Sequence, residues 1–264
     1  MLHITNGDCA VAVLSRVVRG PILPWRDVLH EGPVRAGLSL EALSRERAAF
    51  IAGAGWGDFS TVLKSFQERD ALLRRAGEHD EIVLWFEHDL YDQLQLIQVL
   101  DGLSALRGPP ISLVCEAEYL GNMAPERAAE LFSLRTPLTR RHFQEAQSAW
   151  AAFRSSDPLQ IDPSKPKALP FLGAALRRHL EEFPWTSDGL SRSQRQIREA
   201  LNDGPLSLPE LFRRTHEEPA FLGDTTLAWY VERMSRWLPR WLGGYEVKDE
   251  SVRWDPALSR LVRA

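Results

Sequence analysis

Residues 82–86 form an unbroken apolar run that stops abruptly at Glu87, His88 and Asp89 before a helical pattern takes over. A strand without polar alternation has to be covered on both faces, and that condition is met almost only in parallel sheets sandwiched between helices. The run therefore restricts the chain to an α/β architecture. It also delivers three ionisable groups to one edge of the sheet, the place where open α/β folds bind their ligands.

The flanking sequence supplies the other strands. Leu2 to Thr5 is a short β-type run, and Asn6-Gly7-Asp8 turns it into a helix whose apolar positions Val11, Leu14, Val17 and Val18 continue toward Gly20. A second strand over 22–28 contains Pro24, which predicts an edge position because proline cannot donate to a ladder. Helical spacing follows over 39–52, with Leu40, Leu43, Arg47, Phe50 and Ile51 on one face, and over 58–75. After the third strand, residues 81–86, come a helix over 90–106, a Gly108-Pro109-Pro110 break and a fourth strand over 111–115.

This alternation predicts a three-layer, mostly parallel, Rossmann-like sheet, and the simplest right-handed winding gives the order 2-1-3-4. The chain then reverses direction between the first and third strands, and Asn6-Gly7-Asp8 faces Glu87-His88-Asp89 across a crevice. Asp27, His30 and Glu31 stand on one flank of it, Glu116 and Glu118 on the other.

Beyond the sheet, residues 139–154 read as an amphipathic helix, four prolines between 158 and 170 read as a connector, and 171–183 are helical again. Helical patterns at 191–202, 207–216 and 224–238 precede a hairpin of 245–247 with 252–254. The predicted plan is an α/β domain over 1–135, a helical connector over 136–189 and a winged-helix-like domain over 190–264.

Charge is nearly balanced, with 32 Lys+Arg against 36 Asp+Glu, so no global field favours nucleic acid or an anionic membrane. Within 190–264 the charges almost cancel, and the third helix of that domain is neutral, which disfavours DNA as a partner. Cys9 and Cys115 are too few for a disulfide framework and lack zinc-ligand spacing. With neither a signal-peptide pattern nor an apolar run of spanning length, the sequence predicts a cytoplasmic protein that does not engage a membrane.

Three stretches, His3-Ile-Thr-Asn-Gly-Asp8, Leu23-Pro-Trp-Arg-Asp-Val-Leu-His-Glu-Gly-Pro33 and Leu84-Trp-Phe-Glu-His-Asp-Leu-Tyr-Asp-Gln-Leu94, together resemble the bacterial family called domain of unknown function 1835. The resemblance covers roughly the first half, and residues 169–183 with 221–224 look like the C-terminal extension many such proteins carry. It implies the domain plan and the positions of the three motifs. No reaction comes with it.

The chemistry must be read from the residues. Asp8 and Asp89 each stand at a helix start, where an aspartate accepts a backbone N–H as an N-cap; facing one crevice, they are also candidate ligands for a divalent cation. Glu87 continues a buried strand, and a carboxylate leaving such a strand must be solvated, paired or metal-bound. His30, with an ordinary pKa of about 6.5, is the candidate for proton transfer. Helix starts attract phosphate, but an acidic edge repels it unless a cation intervenes.

The reading that joins these is a metal-assisted hydrolase or transferase acting on a phosphate ester or nucleotide. Asp8, Glu87 and Asp89 would hold magnesium or manganese, and His30 would move the proton. The alternative is a non-enzymatic ligand sensor that acts on a protein partner, or self-associates, through its winged-helix-like domain.

Overall fold

Apolar strands feeding helices build the first part of the chain. The computed structural model describes residues 1–216, 223–235 and 252–264. β1 (Leu2–Thr5) leads into α1 (Asp8–Leu14) and β2 (Ile22–Pro24). Two helices, α2 (Leu40–Gly53) and α3 (Phe59–Arg74), cross over to β3 (Ile82–Glu87), which runs into α4 (Leu90–Leu103). Next come β4 (Ile111–Glu116), α5 (Pro125–Ser133), β5 (Thr136–Pro137) and α6 (Arg140–Phe153). The sheet order is β2-β1-β3-β4-β5, with the first four strands parallel and β5 antiparallel to β4. β1 and β3 are direct neighbours, so the reversal of winding that opens a crevice lies where the sequence places it.

Every residue of β1 and β3 is buried, as an internal parallel strand requires. On one face Val83, Trp85 and Val114 pack with Ala10 and Leu14 of α1 and with Ala128 and Leu131 of α5. α4 packs on both β3 and α6, which explains why it is buried on nearly all sides.

Three local features differ from the sequence reading. α1 stops at Leu14 because the next amides tighten to i→i−3 bonds, Arg16 to Val13 and Val17 to Leu14. β2 ends at Pro24, and the chain turns through Arg26 at φ 49°. The short α5 and the two-residue β5 went unforeseen. β5 carries Pro137 on the sheet edge, where a missing N–H costs no ladder bond.

A buried polar network braces the loop after β2. Arg47 of α2 pairs with Asp27 at 3.0 Å and donates to the carbonyls of Val28, Glu31 and Pro33. Arg69 of α3 stacks on the Trp25 and Phe66 rings and donates to Ser44 and to the Asp70 carboxylate. The Trp25 indole N–H reaches Gln98 of α4 at 2.6 Å. Gly32 closes the loop at φ 72°, pressed so near the Phe50 ring that a Cβ would lie 2.5 Å from it.

Two compact units divide the chain, residues 1–156 with 161–175 and residues 157–160 with 176–264, so the stretch read as a connector is split within α7 (Leu172–Leu180). The second unit contains α8 (Arg192–Ala200), α9 (Leu208–Thr215), α10 (Asp224–Ser235), β6 (Val252–Asp255) and β7 (Arg260–Arg263). Ile197, Leu211, Leu227, Tyr230 and Met234 form its helical core. Residues 245–247, read as one arm of a hairpin, lie outside the described residues; within them β6 pairs with β7, antiparallel. Among the described residues no helix is long and apolar enough to cross a membrane.

Arg47 and Asp27 are both wholly buried, and without Arg47 the guanidinium left beside Asp27 is that of Arg69 at 4.0 Å. Arg47→Met should lower unfolding free energy by about 3–5 kcal/mol, measured by urea denaturation. A loss within experimental error would show that the loop does not depend on the pair.

Candidate functional site

Three carboxylates converge where β3 ends and α4 begins. Glu87 is the last strand residue, Asp89 the N-cap of α4 and Asp92 its third residue; one oxygen from each lies within 4.8 Å of the others. Glu87 and Asp92 are buried, Asp89 half-buried.

Local sequence explains the first step of this arrangement. Asp89 accepts the Asp92 N–H at 2.9 Å, an ordinary N-cap bond. An acidic residue three positions beyond a cap normally reaches back to the N-cap amide. Asp92 instead accepts the backbone N–H of Glu87 at 2.7 Å and the side-chain amide of Asn6 at 2.9 Å. Its carboxylate thereby ties the ends of β3 and β1 together. Glu87 in turn accepts the Leu120 N–H at 2.7 Å, while its own carbonyl takes the Gln93 amide at 2.6 Å.

The electrostatics follow from this crowding. Burial, then the nearby Asp89 charge, pushes Glu87 up to about 7. Asp89 is raised by burial, and Asp92 is raised well above the carboxylate range by burial and by the Asp89 and Glu87 charges. Neighbouring Tyr91 is raised as well, chiefly by burial, so its phenol remains protonated. Each of the three therefore holds its proton to a higher pH than a free carboxyl, and positive charge entering the cluster would favour the ionised forms.

Of the residues singled out in the sequence, Glu87 and Asp89 come together and Asp8 does not join them. Gly7, not Asp8, occupies the N-cap of α1. Asp8 is exposed and held in the fork of Arg26, with Nε at 2.9 Å and Nη2 at 2.5 Å. Arg26 adopts a left-handed backbone, which costs a non-glycine residue about 1–2 kcal/mol. His30 is buried with its ring edge-on to Tyr91 at 6.2 Å. His88 packs against Tyr119 and Phe171, and Glu118 pairs with Arg127 at 3.0 Å. Asp27 belongs to the Arg47 network.

Asp92 and Asn6 are the members that sequence reasoning passed over as site residues. Asp92 has the spacing of a capping partner, which hides its other role, and Asn6 reads as turn chemistry. The one usable signal was an acid in the first turn of a helix rich in leucine, with Leu90, Leu94, Leu96 and Leu100. No protein-family model matches this chain, and a search of curated proteins finds no match.

Raised carboxyl values set the sign of a pH effect. The native state keeps protons that the unfolded chain releases, so its stability falls as pH rises from the ordinary Glu value of 4.5 toward about 7. Glu87→Gln removes this contribution. In chelator, the melting temperature of the wild type relative to Glu87→Gln should fall across that window; a constant difference would show that Glu87 titrates normally.

Proposed function

We propose that the carboxyl edge of the sheet binds a divalent cation through Glu87, Asp89 and Asp92 and acts on a phosphate ester or nucleotide as a hydrolase or transferase. The observation carrying this reading is the convergence of three carboxylates in a largely buried position. Carboxylates are hard oxygen donors, and each retains lone pairs beyond those its N–H partners use. The donor set contains neither thiolate nor imidazole, which suits magnesium or manganese better than zinc. Once bound, such an ion neutralises the acidic edge toward phosphate and activates a phosphoryl oxygen or a water.

The protein's own residues supply the rest. Asn6 and the amides of residues 87, 92 and 120 orient the carboxylates. We assign proton transfer to His30, buried against the Tyr91 ring between Asp89 and Asp92 in sequence. On the three stretches that resemble the domain of unknown function 1835, which here supply β1, the loop after β2 and the β3–α4 junction, we read the chain as a member of that family. We read the second unit as winged-helix-like, on the order of three helices followed by an antiparallel strand pair, and as a module for a protein partner in the cytoplasm.

Asp89→Asn keeps a cap of similar quality while removing charge. Manganese should raise the melting temperature of the wild type, and Asp89→Asn should weaken manganese affinity by about tenfold or more at similar metal-free stability. Release of inorganic phosphate from a nucleotide panel should fall in the same variant. An absent manganese response in the wild type, or an identical one in Asp89→Asn, would remove the cation from the function.

A further inference from the structure

His3 lies within β1 with no exposed surface, and both of its ring nitrogens are committed. Nδ1 meets the indole N–H of Trp85 at 3.1 Å, and Nε2 meets the carbonyl of Arg19 at 3.3 Å. An indole nitrogen can only donate and a carbonyl can only accept. The imidazole is therefore neutral, with its proton on Nε2 and the lone pair of Nδ1 turned to Trp85.

This ring holds together more than one bond. The His3 backbone N–H donates to the Pro21 carbonyl at 3.0 Å, so backbone and ring together fix the connector between α1 and β2. On the other side the Trp85 ring stacks on Phe132 of α5, with centroids 6.0 Å apart and planes at 12°. Phe132 also lies 5.9 Å from the His3 ring. Strands β1 and β3 and helix α5 thus meet on one imidazole.

A proton on Nδ1 would set an N–H against the N–H of Trp85. Two donors cannot share that contact, so one ring has to turn away. The bond to Arg19 already uses the Nε2 proton and does not oppose the change. Burial is the main force that holds the imidazole below its ordinary value of 6.5, and the Met1 ammonium and Arg135 act with it. The Arg19 carbonyl and Glu81, which pairs with Arg135 at 2.8 Å, act against it.

We infer that the His3–Trp85 contact is an acid-sensitive latch between the sheet and α5: protonation of His3 at Nδ1 releases the Trp85 indole and loosens Phe132 with it. The native state takes this proton less readily than the unfolded chain, so stability falls as pH drops from 6.5 toward the lower native value. That sign is opposite to the one set by Glu87, and variants separate the two.

The test is an NMR titration of the isotope-labelled full chain from neutral pH into acid. It follows the ring nitrogens of His3, assigned with His3→Asn, and the indole N–H of Trp85, assigned with Trp85→Phe. At neutral pH His3 should show the Nε2–H tautomer. Its midpoint should lie below 6.5, and the Trp85 indole resonance should shift with the same midpoint. Trp85→Phe keeps an aromatic ring but removes the opposing donor, so the His3 midpoint should rise. His3→Asn keeps a side-chain acceptor and cannot titrate, so the melting temperature of the wild type relative to it should fall below pH 6.5. An Nδ1–H tautomer, a Trp85 resonance indifferent to the His3 titration, or loss of the native spectrum before either resonance moves would each overturn the latch. So would an unchanged His3 midpoint in Trp85→Phe or a constant melting difference from His3→Asn. If either variant fails to fold, the wild-type tautomer and the paired shift of the two resonances decide it.

Discussion

Asp92 is the constraint on which the rest of the candidate site depends. A carboxylate with no exposure pays a desolvation penalty of several kcal/mol unless it is hydrogen-bonded or charge-matched. Here it is met by the amide that ends β3 and by the Asn6 side chain that ends β1, and its own N–H goes to the Asp89 cap. Three chain segments therefore meet on one acidic residue. Glu87 and Asp89 sit where they do because those bonds fix the β3–α4 junction, and each charge raises the cost of the next.

A second set of buried charges shows what a purely structural solution looks like in the same protein. Asp27 is met by a guanidinium, Asp70 by another, and the charges of Arg47 and Arg69 are matched within the network. Glu87, Asp89 and Asp92 are met by neutral N–H donors. Donors of that kind stabilise a carboxylate without cancelling its charge, so the two clusters do different jobs. The first clamps the loop after β2 onto α2 and α3; the second gathers three carboxyl groups on neutral donors at the sheet edge. Departures from local stability rules are expected where a site has to be held ready.

How much of this was legible follows from the range over which each signal acts. The strand order could be read because apolar runs, proline positions and right-handed crossovers are properties of short segments and their sequence order. α5 escaped because two buried positions, Ala128 and Leu131, make too brief a stripe to register as periodic. β5 escaped because two residues carry no alternation at all. In the site, Glu87 was legible as a charge ending a buried strand and Asp89 as an acid opening a helix. Asp8 looked equivalent to Asp89 by the same local rule, yet the arginine that claims it lies eighteen positions away.

By itself the sequence determined the α/β class, the parallel sheet with its 2-1-3-4 order, and the edge at which ionisable groups gather. Periodicity and turn chemistry are written within a few residues of one another, and burial acts on them directly. Tertiary structure alone decided which acids share the site. Asp92 joined through Asn6, eighty-six positions away, Asp27 was neutralised by Arg47, and Asp8 was drawn out by Arg26. Those choices depend on strand register and on distances of a few ångströms between segments remote in sequence, and at such distances desolvation and Coulomb energies change steeply.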